Sequence, residues 1–245
     1  MIELLLVLLL AHVMADFLLQ PDDWVRCRQQ RHWRSPALYK HSALHGSLTV
    51  IALIPFVPWP WALLAGLALM FGHGLIDWAK SYSQPGLTSL LWDQAAHLAT
   101  IALAWLWLSE WPLQRLGMWM SKYGDNALLL LLAYALCTKP ASVLISTLLQ
   151  RWPIAGNRNQ QSSLIAAGAT IGYLERGLIL TFVLLDQFAG VGFLLAAKSV
   201  FRFGDLSKSN DRTLTEYVML GSLSSVAFAM AVGITCTALM AQLNG

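Results

Sequence analysis

The chain has 245 residues, of which 57% are hydrophobic and only 12% are charged. Soluble domains carry about 25% charged residues, so the composition excludes an ordinary soluble domain and indicates an integral membrane protein. The net charge of +3 is too small to favour nucleic acid as a partner, and we predict none. The 3 cysteines lack a C-x-x-C motif, which argues against a disulfide framework or a thiolate metal site.

Apolar stretches long enough to cross a membrane recur along the whole chain. A transmembrane helix needs about 20 mainly apolar residues, and this criterion predicts about eight spans. They lie near 2–20, 41–58, 60–80, 91–110, 126–149, 164–185, 187–203 and 217–241. The predicted fold class is therefore all-α: a polytopic transmembrane helical bundle with two four-helix halves, residues 1–110 and 126–245.

Basic residues indicate how this bundle is oriented, because cytoplasmic loops are enriched in Lys and Arg. The 21–40 segment holds four arginines and a lysine against two aspartates, so we place it in the cytoplasm. It either lies on the membrane surface or forms a solvated loop. Alternation of the spans then puts both termini outside and predicts a multi-pass protein whose partners include membrane lipid. The oligomeric state stays open.

Four pairs of His or Asp residues, each with four-residue spacing, are the most informative feature of the chain. The pairs are His12/Asp16, His41/His45, His73/Asp77 and Asp93/His97. Random placement would give about 0.8 His-containing pairs at this spacing. Residues four apart lie on the same face of a helix, so each pair can reach a single metal ion.

The predicted topology brings all four pairs to one depth in the membrane. Two pairs close inward-going spans and two open outward-going ones, about 6–12 Å inside the cytoplasmic interface at 1.5 Å rise per residue. An aspartate at such a depth costs about 2.5–3.5 kcal/mol unless it has a partner. A divalent cation supplies that partner. We therefore predict a metal site whose ligands are His12, Asp16, His41, His45, His73, Asp77, Asp93 and His97.

The ligand types suggest the metal and its chemistry. Imidazole and carboxylate suit zinc, our first choice, and also manganese or iron. Eight side chains fit two ions with bridging aspartates, or one ion whose histidines are oriented by the remaining carboxylates. A divalent ion with an open position acidifies a bound water. This predicts hydrolysis, with Asp77 or Asp93 as the catalytic base.

A second set of candidates consists of cationic residues within or beside the spans. The set is Lys80, Lys139, Arg176, Lys198 and Arg202. Such side chains hold phosphates and carboxylates, so we predict that they bind an anionic small-molecule or lipid substrate. Ion pairing inside the membrane, for example between Glu175 and Lys198, explains the second-half residues as well. Snorkelling to the interface explains Lys80.

Several strings resemble a bacterial family of membrane proteins, the domain-of-unknown-function 3307 family. The strings are His12-x3-Asp16-Phe17-x2-Gln20, Lys40-His41-x3-His45, His73-x2-Ile76-Asp77-x2-Lys80 and Asp93-Gln94-x2-His97. Two further strings, Gly172-Tyr173-Leu174-Glu175-Arg176 and Ala197-Lys198-Ser199-x2-Arg202-Phe203, resemble longer members with a second hydrophobic half. The resemblance implies a bacterial inner-membrane location and a shared polar constellation. It implies no reaction, because the family name assigns none.

The leading prediction is a membrane-embedded, metal-dependent hydrolase acting at the cytoplasmic side on an anionic lipid or phosphorylated substrate. The same ligands fit a metal-ion or proton transporter or channel, although the apolar outer halves of the spans argue against a through-route. A di-iron redox enzyme fits the carboxylate and imidazole ligands. A non-catalytic sensor or scaffold fits a purely structural metal.

Overall fold

The computed structural model describes residues 2–109, 124–152, 161–206 and 212–244, with only the backbone at 161–167, 201–206 and 212–214. Within these ranges every regular element is helical, which confirms the all-α prediction. The α-helices are α1 (Ile2–Val13), α2 (Asp22–Arg31), α3 (Pro36–Leu53), α4 (Trp59–Lys80), α5 (Leu87–Leu108), α6 (Gly124–Leu136), α7 (Lys139–Leu149), α8 (Gln161–Leu184), α9 (Phe188–Leu206) and α10 (Arg212–Asn244). A π-helical turn, Met14–Leu18, continues α1, and a 3-10 turn, His32–Arg34, follows α2.

Three helical segments of the described chain are long and apolar enough to cross a membrane by themselves. They are Trp59–Lys80, Gly124–Leu149 and Thr215–Asn244. A fourth candidate is the pair Ile2–Leu18 and Asp22–Arg34, which is bent by 82°. Length and composition therefore support three or four spans, fewer than the eight expected from the sequence. Helices α3 and α5 lie where spans were predicted, but their His and Asp residues reduce their apolar character.

The side chains of α3, α4 and α5 are arranged as in a membrane protein, with apolar residues outside. Ile51, Phe71, Trp92 and Leu103 are between 66% and 74% exposed, whereas the His and Asp pairs are buried or nearly so. In water, an apolar surface of this kind would mark an association site. In a membrane, the same apolar surface would contact the hydrocarbon chains of the lipid. The distribution is consistent with membrane insertion.

The described chain divides into two compact units, Met1–Ala135 and Leu136–Gly245. In the first unit, α3 packs between α1 and α4, α5 packs against α4 and α1, and α2 lies against α3. One end of this bundle is an apolar core that includes Leu4, Leu8, Leu53 and Leu108. The other end holds the His and Asp pairs. In the second unit, α8 packs against α9 and α10, and α7 packs against α10.

Two glycines allow α3 and α4 to approach closely. A Cβ added at Gly46 would lie 2.9 Å from the Cβ of Met70, and one added at Gly66 would lie 2.9 Å from the Gly46 carbonyl oxygen. Small residues at such positions let helix backbones come together in membranes. This contact brings the two histidines of α3 beside His73 of α4.

We expect Gly66→Ala to destabilise the first unit by about 1–3 kcal/mol, because the added methyl group meets a backbone carbonyl that cannot move aside. Gly72→Ala on the same helix is the matched control. Its Cβ would meet only Thr100 Cγ2, at 3.8 Å, and alanine favours a helix over glycine. Thermal unfolding of the detergent-solubilised chain compares the two. Equal midpoints would contradict the close α3–α4 contact.

Candidate metal centre

All eight predicted ligands lie in one cluster within the first unit. Their nitrogen and oxygen atoms form three overlapping groups, in each of which the atoms lie within 4.8 Å of one another. The groups are His12/Asp16/His45/His73, His41/His73/Asp77 and Asp77/Asp93/His97. The four pairs therefore come together as the spacing and the alternating helix direction predicted.

Asp16 reaches this cluster from a π-helical turn and not from the continuous α-helix expected near residues 2–20. The turn is closed by a hydrogen bond from the Leu19 amide to the Met14 carbonyl oxygen, 2.8 Å long. Pro21 then precedes α2 and cannot continue the first helix, because proline lacks the amide hydrogen. The turn leaves His12 Nε2 3.7 Å from Asp16 Oδ2. Single π-helical turns occur frequently at functional sites.

The Asp16 carboxylate lies among the histidine rings. Its Oδ1 is 2.7 Å from His45 Nε2, 3.1 Å from His41 Nε2 and 3.4 Å from His73 Nε2. Its Oδ2 accepts a 3.3 Å hydrogen bond from Gln94 Nε2. In the part of the chain that the structure describes, no Lys or Arg forms an ion pair with Asp16.

The other two aspartates of the cluster each have a cationic partner. The buried guanidinium of Arg28 pairs with Asp77 Oδ2, and Lys80 Nζ lies 2.5 Å from Asp93 Oδ2. Lys80 was predicted to bind substrate, and 29% of its side chain is exposed. The contact of Arg28 with Asp77 was not predicted, because the 21–40 segment was expected to lie on the membrane surface or in solvent. No pattern separates Arg28 from the other arginines of that segment.

His32, the histidine outside the four pairs, holds α2 in place and does not join the cluster. Its ring stacks on Tyr82 with centroids 4.1 Å apart, and its Nδ1 lies 2.9 Å from Ser81 Oγ. Its φ of 49° is in the left-handed region that non-glycine residues rarely adopt. These contacts attach the end of α2 to the end of α4, where Arg28 reaches Asp77.

The five clustered rings are packed closely enough to share an ion. The His45 and His73 centroids are 3.5 Å apart, and those of His73 and His97 are 4.1 Å apart. Among the described residues, His73 Nε2, both ring nitrogens of His97 and Asp93 Oδ1 are buried without a hydrogen bond. Burying a polar atom without a hydrogen bond costs about 1–3 kcal/mol of folding free energy. A divalent cation would offset this cost, and the nitrogen and oxygen donors fit zinc, manganese or iron.

A small cavity of about 20 Å³ adjoins the rings. His12, His45, His73 and His97 line it together with the hydroxyl-bearing residues Thr49 and Thr100. A cavity of this size has room for a single water molecule. The cluster therefore has space for a water next to its ring nitrogens.

The predicted anion-binding residues of the second half lie in the second unit. Arg176 is buried and donates to backbone carbonyls, while Lys198 Nζ lies 2.5 Å from Glu175 Oε2. The predicted alternative of ion pairing is therefore present at Lys198. Lys139 is half-buried at the start of α7. The side chain of Arg202 lies outside the described part of the chain.

Comparison with known protein families gives a match in the first half of the chain. The model of the family described as "Protein of unknown function (DUF3307)" matches residues 4–122. No curated protein and no solved structure matches the chain. The matched segment contains all eight clustered ligands together with Arg28 and Lys80, and it ends before α6.

Proposed function

Residues 4–122 match the model of the DUF3307 family, whose description assigns no activity, so we propose a function from the geometry of the cluster. We propose that the chain is a membrane-embedded, metal-dependent hydrolase acting at the cytoplasmic side on an anionic lipid or phosphorylated substrate. The strongest support for the proposal is the environment of Asp16. Asp16 is surrounded by imidazole Nε2 atoms and is the cluster carboxylate that has no cationic partner among the described residues.

The charges of the cluster favour a single divalent ion over two. With neutral histidines, the three aspartates carry three negative charges, and Arg28 and Lys80 balance two of them. The remaining negative charge is that of Asp16. A second ion would compete with Arg28 for Asp77 or with Lys80 for Asp93. This competition argues against two ions with bridging aspartates.

The proposed ligands of the ion are His12, Asp16, His45 and His73, whose donor atoms form the largest of the three groups. Three imidazoles and one carboxylate are ligand types that zinc prefers, so zinc remains the first choice. A water in the adjoining cavity would then take a fifth position, which zinc accepts in catalytic sites. Manganese and iron take the same ligand types. When bound, such an ion polarises the scissile group and acidifies a water molecule.

The remaining residues of the cluster supply acid–base and binding groups. Asp93 Oδ1 makes no hydrogen bond and lies 3.4 Å from His97 Nε2, so we assign it to accept the proton of the attacking water. Asp77 is fixed by Arg28 and lies 3.4 Å from His73 Nε2, the nitrogen that also faces Asp16, so we place it beside the ion and not among its ligands. Lys80 is partly exposed, so the N–H groups that do not face Asp93 would donate to the anionic group of the substrate.

The apolar end of the first unit supports a hydrolase over a transporter or channel. The buried core of this end consists of leucine, valine, alanine and isoleucine side chains, with tryptophan and phenylalanine rings packed against it. A path for ions or protons through a membrane requires polar or ionisable groups along its length. The polar side chains of Arg28 and Lys80 lie at the opposite end. Access from one side is what a hydrolase needs.

The proposal includes the membrane arrangement predicted from the sequence. We propose eight spans in a bacterial inner membrane, with both termini outside and the metal centre facing the cytoplasm. The arginine-rich α2 supports this orientation, since positive residues are enriched on the cytoplasmic side. In support of the number, a described helix coincides with each of the eight predicted spans.

Asp93→Asn in the purified full chain tests the proposed hydrolysis. At saturating zinc, we expect the variant to keep its ion but to lose about 10²–10⁴-fold in turnover, because it lacks the proton acceptor. The assay uses fluorogenic phosphate esters and phospholipid vesicles as substrates. Asp23→Asn, in the exposed pair with Arg26, is the control and should keep full activity. Undiminished turnover by Asp93→Asn, or no hydrolysis by the zinc-loaded chain, would refute the proposal.

A further inference from the structure

A second polar site lies within the second unit, in a pocket of about 410 Å³ between α7, α8 and α10. This volume is typical of small-molecule and cofactor sites. We name it the Arg176 pocket. Its polar side includes Arg176, Ser142 and Ser225 and, from α8 and α9, the ion pair of Glu175 with Lys198. Its apolar side includes Ile145 and Ile171. A cavity with one cationic side and one apolar side suits an amphipathic anion.

Hydrogen bonds fix the Arg176 guanidinium in one orientation. Its Nε donates to the Cys137 carbonyl oxygen at 2.7 Å, and its Nη2 donates to the Thr138 carbonyl oxygen and to Ser142 Oγ. Its Nη1 donates to Ser225 Oγ at 3.2 Å. A guanidinium has five N–H groups, so one Nη1 hydrogen remains for a ligand.

The two serine hydroxyls add further donors. Arg176 can only donate, so Ser142 Oγ and Ser225 Oγ must act as acceptors toward it. Their own hydrogens then point away from the guanidinium. Among the described residues neither hydroxyl donates to another group, so the two hydroxyls and the remaining Nη1 hydrogen are three donors available to a ligand. Several donors around a single point match a tetrahedral oxyanion.

The charge of Arg176 is not balanced by an acid in the described part of the chain. No described carboxylate forms an ion pair with it, because Glu175 pairs with Lys198. Arg176 itself is only 3% exposed. A buried charge without a counter-charge is costly, and more so in a membrane. An anion in the pocket would offset this cost.

We propose that the Arg176 pocket binds a phosphate group, carried either by a lipid headgroup or by a soluble phosphate ester. The phosphate would take the three donors, and the apolar side would contact the rest of the ligand. This site goes beyond the proposed hydrolysis, because it uses no residue of the metal centre. It stands or falls independently of zinc binding.

A substitution of Arg176 would also disturb the turn before α7, whose carbonyl groups it holds, so we test the pocket by filling it. A Cβ at Gly168, which lines the pocket, would meet nothing within 4 Å. Because its Cβ meets no neighbour, Gly168→Phe should place a ring at the wall of the pocket and reduce the space for a ligand. Gly177→Phe is the matched control, because Gly177 lies on the same helix, is equally open and does not line the pocket.

Binding is measured on the full chain in detergent by native mass spectrometry and by thermal stabilisation. The probes are dioleoyl phosphatidic acid, dioleoyl phosphatidylcholine as the zwitterionic comparison, and glycerol 3-phosphate. We expect phosphatidic acid or glycerol 3-phosphate to bind, which identifies a lipid or a soluble source respectively. Gly168→Phe should weaken that binding by about tenfold or more, while Gly177→Phe should not.

Two results would overturn the phosphate site. One is that neither phosphate compound binds more tightly than phosphatidylcholine does. The other is that Gly168→Phe binds as tightly as the unmodified chain. Zinc content is recorded in parallel and should be the same in all three proteins. A loss of zinc would show damage to the metal centre. The conclusion about phosphate would still come from the binding measurements alone.

Discussion

Asp16→Asn is expected to abolish high-affinity binding of the divalent ion while the helical fold is retained. The amide has nearly the same shape as the carboxylate and keeps an oxygen that can face His45, 2.7 Å away. It lacks, however, the one negative charge of the cluster that no described Lys or Arg balances. The ion would therefore lose both a ligand and its counter-charge. Zinc affinity is measured by titration of the purified chain, with circular dichroism as the check on folding.

Asp93→Asn provides the comparison for this experiment. Asp93 pairs with Lys80 and lies outside the proposed ligand set. Its Oδ2 accepts from Gln94 Nε2, which also donates to the ligand Asp16, so its loss should reduce zinc affinity by about 10–100-fold, as loss of an outer hydrogen-bond partner does. Asp16→Asn should cost clearly more. If the two variants rank in the opposite order, the ion lies nearer to Asp93 and His97, and our assignment of Asp16 is wrong.

Arg28→Met is expected to destabilise the first unit by about 3–5 kcal/mol, because it leaves the buried carboxylate of Asp77 without its counter-charge. The double variant Arg28→Met/Asp77→Asn removes both charges and should regain most of the stability. Unfolding by denaturant in micelles measures all three proteins.

Arg26→Met on the same helix is the control for the loss of an arginine. The side chains of Arg26 and Asp23 are 69% and 80% exposed, and exposed ion pairs contribute only about 0–1 kcal/mol. Equal stability of the Arg26 and Arg28 variants would show that α2 does not lie over the cluster. It would also remove the charge argument for a single ion, which depends on the pairing of Arg28 with Asp77.

Sequence reasoning predicted the convergence of the ligands because it used two periodicities that tertiary structure does not alter. Four-residue spacing puts His73 and Asp77 on one helix face, and alternation of helix direction puts that face at the depth of the other pairs. The apolar character of the opposite end followed from the same alternation. These properties depend only on helix geometry and on short connections between helices.

Sequence reasoning did not predict the contacts that depend on how the chain bends. The π-helical turn at Asp16 and the 82° bend after it return α2 toward the cluster, and neither has a sequence signature beyond Pro21. Arg28 therefore looked like its exposed neighbour Arg26. The pairing of Lys80 with Asp93 was not predicted, because Asp93 lies on the next helix, where spacing within one helix gives no information.

X-ray absorption at the zinc edge of the purified, zinc-replete chain tests the central claim most directly. We predict a single ion per chain with nitrogen and oxygen neighbours at about 2.0–2.1 Å, a clear imidazole scattering pattern and no sulfur. Absence of bound metal, a sulfur neighbour, or a second metal at about 3.5–4 Å would contradict a single ion held by His12, Asp16, His45 and His73.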